Sequence, residues 1–191
     1  MSFRRKFSNK FKLLVLENLL NNGDVLVTYR KNSLLSWIIS KLTSKYNFRA
    51  SHIGIKLDNG IYESSFEGVK KTNINKFLKN YDLIYIMRLK EDVIINKEKF
   101  YNDLKNMVGT KYGFLQIIVD FIVLLFSSMF SINFRYFFDK DYDKNIVCSE
   151  YVAKALKKQN IYVIENVEPH FITPFDYIQS EKFTMVYEYE K

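Results

Sequence analysis

One short stretch narrows the folds open to this chain. His52–Leu57 alternates as His-Ile-Gly-Ile-Lys-Leu, Asp58-Asn59-Gly60 follows, and Ile61–Ser65 reads Ile-Tyr-Glu-Ser-Ser. Asn-Gly suits the positive φ angles of a type I′ turn, so the segment reads as strand, tight turn, strand. A hairpin is an antiparallel pair and needs no crossover helix, which commits the chain to an antiparallel sheet. Further strands are expected at 24–29, 81–90 and 185–189, where β-branched and aromatic residues cluster. Helices are expected at 33–42, with Ser33 as N-cap, at 96–108, ended by Gly109, and at 148–158. Residues 1–20 place Phe7, Phe11, Leu14 and Leu19 roughly along one helical face, and Asn21-Asn22-Gly23 stops that helix. Strands and helices are interspersed, which is the pattern of an α+β domain.

A chain of 191 residues suits one domain. Its organisation reads as a basic helical extension over 1–20 and a single domain over 21–191. One cysteine, Cys148, excludes an internal disulfide framework and a Cys-only metal site. Two histidines, His52 and His170, occur without metal-ligand spacing such as H-E-x-x-H, so no metal is expected. Neither a Walker-type loop nor G-x-G-x-x-G is present, and a nucleotide cofactor is unsupported. Cofactors are therefore expected to be none. Of the net charge of +8, five charges come from Arg4, Arg5, Lys6, Lys10 and Lys12, with no acid among them. Nucleic acid is an unlikely partner, because phosphate and base recognition favours arginine and arginine is scarce. The basic, aromatic start suits an anionic membrane or an acidic partner, or else a solvated helix start. No apolar run with a small-residue cleavage site follows it, so no secretory signal is read. A cytoplasmic or membrane-associated setting is expected, with a virus or phage as a candidate source.

A second feature is the apolar insertion around 114–138. Between Lys111 and Arg135 the only charge is Asp120, and Ile117–Phe126 is almost continuously apolar. A membrane span takes about 20 apolar residues, and Gln116, Asp120 and Ser127-Ser128 interrupt this one. A buried helix with a hydrophobic loop is the first reading, a membrane-dipping or partner-binding insertion the second.

The residues able to do chemistry are few. Cys148 lies at the start of its helix, where the positive end of the macrodipole favours thiolate. Against this, Val152, Ala155 and Leu156 share its helical face, as they would in an ordinary core. Period-two alternation puts Ile53, Ile55 and Leu57 on one face and His52, Gly54 and Lys56 on the other. The imidazole is thus turned away from the strand's apolar side, beside a glycine that leaves space for another group. Thiolate catalysis needs such a base and a third polar group to hold it. Glu63 and Glu67 both have the parity to share the His52 face. A strict two-residue hairpin sets Glu67 opposite His52, unless a bulge or strong twist brings Glu63 nearer. His170, beside Pro169, is a second candidate base. Asp24 reads as ordering a turn or the first strand. Thr173-Pro174-Phe175-Asp176 reads as N-cap, N1 proline and acidic first turn.

The order of these pieces resembles a known family. Gly23-Asp24-Val25-Leu26, Ser51-His52-Ile53-Gly54-Ile55, Asn59-Gly60-Ile61-Tyr62-Glu63 and Glu67-Gly68-Val69 resemble NlpC-type papain-like cysteine hydrolases. The histidine strand precedes the cysteine helix, as in the circularly permuted branch of YiiX-like and lecithin:retinol acyltransferase-like proteins. Gly109-Thr110-Lys111-Tyr112-Gly113 is similar to its G-x-x-Y segment, Val147-Cys148-Ser149-Glu150-Tyr151-Val152 to its C-S-E-[FY]-V signature, and Ile172-Thr173-Pro174-Phe175-Asp176 to the turn that follows. The likeness spans about 21–186. It implies a papain-like antiparallel sheet packed against helices, Cys148 as nucleophile, His52 as base and Glu63 as the orienting residue. It further implies hydrolysis or acyl transfer through a thioester, on a peptide, peptidoglycan or lipid amide or ester. A reading from another class keeps the fold without turnover, as a binding or structural module in a viral particle or at a membrane.

Overall fold

The computed structural model describes residues 9–112 and 145–191. Residues 1–8 and the apolar insertion around 114–138 lie outside the described residues, and with them most of the basic start. Among the described residues no helix is long and apolar enough to cross a membrane.

Chain order is α1 (Asn9–Leu19), β1 (Val25–Tyr29), α2 (Leu34–Thr43), β2 (His52–Leu57), β3 (Gly60–Ser65), β4 (Gly68–Asn73), α3 (Ile74–Lys79), β5 (Leu83–Leu89) and α4 (Lys97–Asn106). It continues with β6 (Lys111–Tyr112), β7 (Asn145–Ile146), α5 (Cys148–Lys157), a 3₁₀ turn (Pro169–Phe171), α6 (Asp176–Gln179) and β8 (Phe183–Glu190). Six strands form one antiparallel sheet in the order β4-β3-β2-β1-β5-β8. The fold is α+β, a six-stranded antiparallel sheet packed against helices.

Both faces of the sheet are covered. On one, Ile53, Ile55, Leu57 and Tyr62 pack with Tyr151, Val152 and Leu156 of α5 and with Phe100 and Leu104 of α4. On the other, Leu26, Ile61, Ile84 and Ile86 meet Leu16 and Leu20 from the α1 end and Phe77 and Leu78 from α3. Each such side chain, fully buried, contributes about 1.5–3 kcal/mol. Alternation along β2 therefore separates two apolar faces rather than an apolar from a polar one. The space beside Gly54 is not open either: a Cβ there would stand 2.5 Å from Ile61 Cγ2 and 2.9 Å from the Phe77 ring.

The hairpin pairs differently from the strict reading. Leu57 faces Gly60, Lys56 faces Ile61 and Ile55 faces Tyr62, so Asp58 and Asn59 form the loop, with Asp58 in the left-handed region (φ 50). Gly60 belongs to the sheet. It pairs with Asn73 of β4, and a Cβ would meet Lys71 Cε at 2.6 Å. The change moves every β3 residue two places relative to β2.

The first strand and α2 form as their residues suggest, and Ser33 caps α2 by accepting from Ser36 N at 3.2 Å. Thr173 does not cap a helix at Pro174. Its N–H and hydroxyl donate to Asp176 Oδ2 at 2.7 and 2.8 Å, closing a turn before α6 begins at Asp176. Asp24 orders the turn into β1, accepting from Asn21 N at 2.8 Å, and its buried carboxylate takes two 2.7 Å hydrogen bonds from Arg88.

Gly54→Ala is expected to lower the unfolding free energy by about 1–3 kcal/mol, because Ile61 and Phe77 must move to admit one methyl group. Urea denaturation checks this, and a change below about 0.5 kcal/mol contradicts the packing described.

Candidate active site

The sulfur is positioned from several directions. Gly68 (φ 96) lets the backbone come so near the loop before β6 that a Cβ would lie 2.6 Å from Thr110 O. Val69 N then donates to Thr110 O at 2.9 Å and Gly109 N to Val69 O at 2.8 Å. Beyond that clamp β6 pairs in parallel with β7, and Ser64 Oγ donates to Ile146 O at 2.6 Å. Two residues later α5 starts at Cys148. Its N-cap, Val147, has no side-chain acceptor, so half of a capping box operates: Glu150 Oε2 accepts from Val147 N at 3.2 Å. Glu150 also pairs with Lys154 at 3.0 Å, and Tyr177 OH donates to Ser149 O at 2.7 Å.

This places the Cys148 thiol against the first residues of β2. The Cys148 sulfur and the His52 imidazole lie close enough for each to shift the other's titration, and the backbone N–H groups of Ile53 and Ser149 act on the sulfur as well. On its other side the imidazole is held by a carboxylate: His52 Nε2 and Glu63 Oε2 are 2.8 Å apart. Glu63 Oε1 accepts from Thr72 Oγ1 at 2.5 Å. The result is a row, Cys148, His52, Glu63 and Thr72, hydrogen-bonded from His52 through Glu63 to Thr72, across the cysteine helix and strands β2, β3 and β4.

The shifted register explains which glutamate arrives. Extending it sets Glu63 opposite Gly54 and diagonal to His52 on the same face, within reach of a long side chain. Thr72 faces Ile61 in β4 and so joins the same face. Glu67 does not reach the histidine: it sits in the turn between β3 and β4, exposed, and pairs with Lys70 at 2.7 Å. Nor does His170 join the group. Its ring lies 4.0 Å from that of Phe171 in the 3₁₀ turn, and its Nε2 is enclosed without a hydrogen-bond partner among the described residues.

Aromatic rings complete the surroundings. Tyr81 stacks on the imidazole with centroids 5.7 Å apart and planes 13° apart, and Phe77 lies at 6.2 Å. Thr28 Oγ1 donates to His52 O at 3.2 Å. Thr72 and Tyr81 were not singled out by sequence reasoning. Tyr81 stood at the edge of an expected strand, and Thr72 would have followed from a strand after Gly68.

The electrostatics favour a charge-separated pair. Burial opposes the Cys148 thiolate, but the facing imidazolium and the N–H donors outweigh it and bring the thiol below its ordinary value. Burial likewise opposes the imidazolium, while Tyr81, the Cys148 sulfur and Glu63 raise His52 well above the usual 6.5. Glu63 is lowered: burial works against it, and the bonds from His52 and Thr72 prevail. The two titrations belong to the pair rather than to either residue.

No family model matches the chain, and no curated protein was found similar to it. Among solved structures, a crystal structure described as the metalloprotein YiiX from Escherichia coli O157:H7 superimposes with a TM-score of 0.62. It shares 16% sequence identity, and the match covers 90% of this chain and 98% of that one. The fold is YiiX-like and papain-like. That neighbour is described as a metalloprotein; among the described residues of this chain, no group of three or more His, Cys, Asp or Glu side chains is arranged to hold a metal ion. The YiiX-like sheet brings Cys148, His52 and Glu63 into a row, with the imidazole between the sulfur and the carboxylate.

Alkylation of Cys148 by iodoacetamide is expected to reach half its limiting rate below the pH of an ordinary thiol, about 8.5. The sign follows from the lowered thiol, since the reactive thiolate then persists to lower pH. His52→Ala removes the facing cation and moves that midpoint up to or beyond the ordinary value. A midpoint unchanged by His52→Ala contradicts the pairing.

Proposed function

We propose that this protein is a thiol hydrolase or acyltransferase of the papain-like kind, with Cys148 as nucleophile, His52 as general base and acid, and Glu63 as the residue that orients the base. The observation that carries the reading is an imidazole hydrogen-bonded from behind to a buried carboxylate and facing a thiol at the first turn of a helix. A merely structural buried cysteine has no need of a lowered pKa or of a base held in one tautomer from behind.

The chemistry balances with these groups alone. Glu63 occupies His52 Nε2, which leaves Nδ1 for the thiol proton. The thiolate attacks the carbonyl carbon of an amide or ester, and negative charge collects on its oxygen. The Cys148 N–H, first in its helix, has no intrahelical acceptor and is placed to donate a hydrogen bond to that oxygen. The C–N or C–O bond breaks as the imidazolium gives its proton to the departing amine or alcohol, leaving a thioester on Cys148. Water, or an acceptor amine or hydroxyl, then attacks the thioester. His52 takes its proton, and the thiolate is released. Peptide or isopeptide bonds, including peptidoglycan cross-links, and lipid amides or esters are the substrate classes this chemistry serves.

Two results test the assignment. In an activity screen over peptide, peptidoglycan and lipid substrates, Cys148→Ala is expected to abolish turnover, and His52→Ala to reduce it by about 10²-fold or more. Glu63→Gln is expected to reduce kcat while Glu67→Gln leaves it unchanged. Equal effects of the two glutamine variants contradict the role given to Glu63. Absence of turnover on all three substrate classes, with no selective labelling of Cys148 at neutral pH, favours the silent module instead.

A further inference from the structure

Helix α2 is inside out. Of its ten residues only Ser40 is buried, and the side turned to the body is built from hydroxyls. Ser51 Oγ donates to Ser36 Oγ at 3.0 Å, Ser40 Oγ to Ser44 Oγ at 3.4 Å, and Ala50 N to Ser44 Oγ at 3.1 Å. The outward side carries the apolar residues: Leu34 is 74% exposed, Trp37 54% and Leu42 40%. With the half-buried Ile38 and with Lys41, they follow one another at helical spacing on one stripe. Tyr46 extends the stripe. It is 82% exposed and sits in the left-handed region (φ 55), a conformation a bulky side chain seldom takes. A helix of a water-soluble domain turns its apolar stripe to the core, whereas a helix that lies in a lipid interface turns it outward.

Charge indicates the occupant. From Val25 to Leu57 the chain has six basic residues and no acidic one. Lys31 is paired with Glu190 at 2.9 Å, and its N–H donates to Asp82. Arg49 lies 5.8 Å over the Tyr29 ring, and Lys56 is buried. Arg30, Lys41 and Lys45 are exposed and have no acidic partner among the described residues. Apolar side chains flanked by exposed cations match an anionic bilayer, where acyl chains take the former and phosphate headgroups the latter. A protein partner fits less well, because lysine is depleted at protein interfaces.

We propose that α2 and the turn after it form a docking surface for an anionic lipid bilayer, with Leu34, Trp37, Leu42 and Tyr46 seated at the boundary of headgroups and acyl chains. Docking there brings the bilayer to the site's edge, since Ser36 of α2 is bonded to Ser51, the residue before His52. The inference stands apart from the thiol chemistry and does not require turnover.

Trp37 is the chain's single tryptophan and reports directly. With the full chain and vesicles of phosphatidylcholine plus phosphatidylglycerol, its emission is expected to shift to the blue and to be quenched by brominated acyl chains. Vesicles of phosphatidylcholine alone, or high salt, are expected to give little of either. Leu34→Glu and Leu42→Glu are expected to weaken vesicle binding by about tenfold or more, with unfolding temperature and Cys148 alkylation unchanged. No shift with anionic vesicles overturns the proposal. So does undiminished binding in both variants, which assigns the lipid contact to another segment. A blue shift that grows with protein concentration in the absence of lipid also overturns it, assigning the face to a second copy of the chain.

Discussion

The site depends on removing three ionisable groups from water together. A thiol, an imidazole and a carboxylate buried singly would each be driven to its neutral form, because desolvation penalises charge. Buried in a line they compensate one another. The carboxylate raises the imidazole, the imidazole and the N–H groups of Ile53 and Ser149 lower the thiol, and Thr72 donates to the carboxylate. Breaking such an arrangement by removing one member is costly, since the others are left charged and unpartnered. Its integrity therefore rests on register and packing as much as on the identity of three residues.

The fold supplies that register by close approaches that only glycine permits. Gly60 lets β4 lie against the start of β3, and Gly68 lets it lie against Thr110. Gly54 lets Ile61 and Phe77 fill the face on which Glu63 reaches across to His52. The cysteine arrives by a separate route, through the parallel pair β6–β7 and the Ser64 bond to Ile146. Residues 52 and 148 thus meet because β2 is a central strand and α5 packs across it, with Tyr151 OH donating to Leu104 O at 2.8 Å and Tyr177 OH to Ser149 O. The same sheet leaves α2 at the margin, joined to the body by serines and facing outward with its leucines and Trp37.

Much of this was legible in the residues, and the failures have physical causes. Strand β2 was found to the residue because its alternation is clear, and α5 because Val152, Ala155 and Leu156 share one helical face. The hairpin register was misread by two because Asn59-Gly60 looks like the central pair of a tight turn. Gly60 is glycine for another reason, the crowding from Lys71 and Thr72 across β4. That shift is what made Glu67 look like the partner of His52. Strand β4 went unseen because Lys70 and Lys71 stand in it, as they can in an edge strand. Alternation also misjudged the surroundings of His52, since a sheet covered on both faces presents apolar groups on each. Helix α2 was recognised, but periodicity alone does not say which of its faces meets the body.

The central claim is that an imidazolium at position 52 persists because a thiolate stands beside it. With two histidines in the chain, NMR of labelled imidazole nitrogens can follow each, His170→Gln assigning the signals. The account predicts that His52 stays protonated well above pH 6.5 and loses much of that elevation in Cys148→Ala. A His52 that titrates at or below the ordinary value, indifferent to the loss of the thiol, contradicts it.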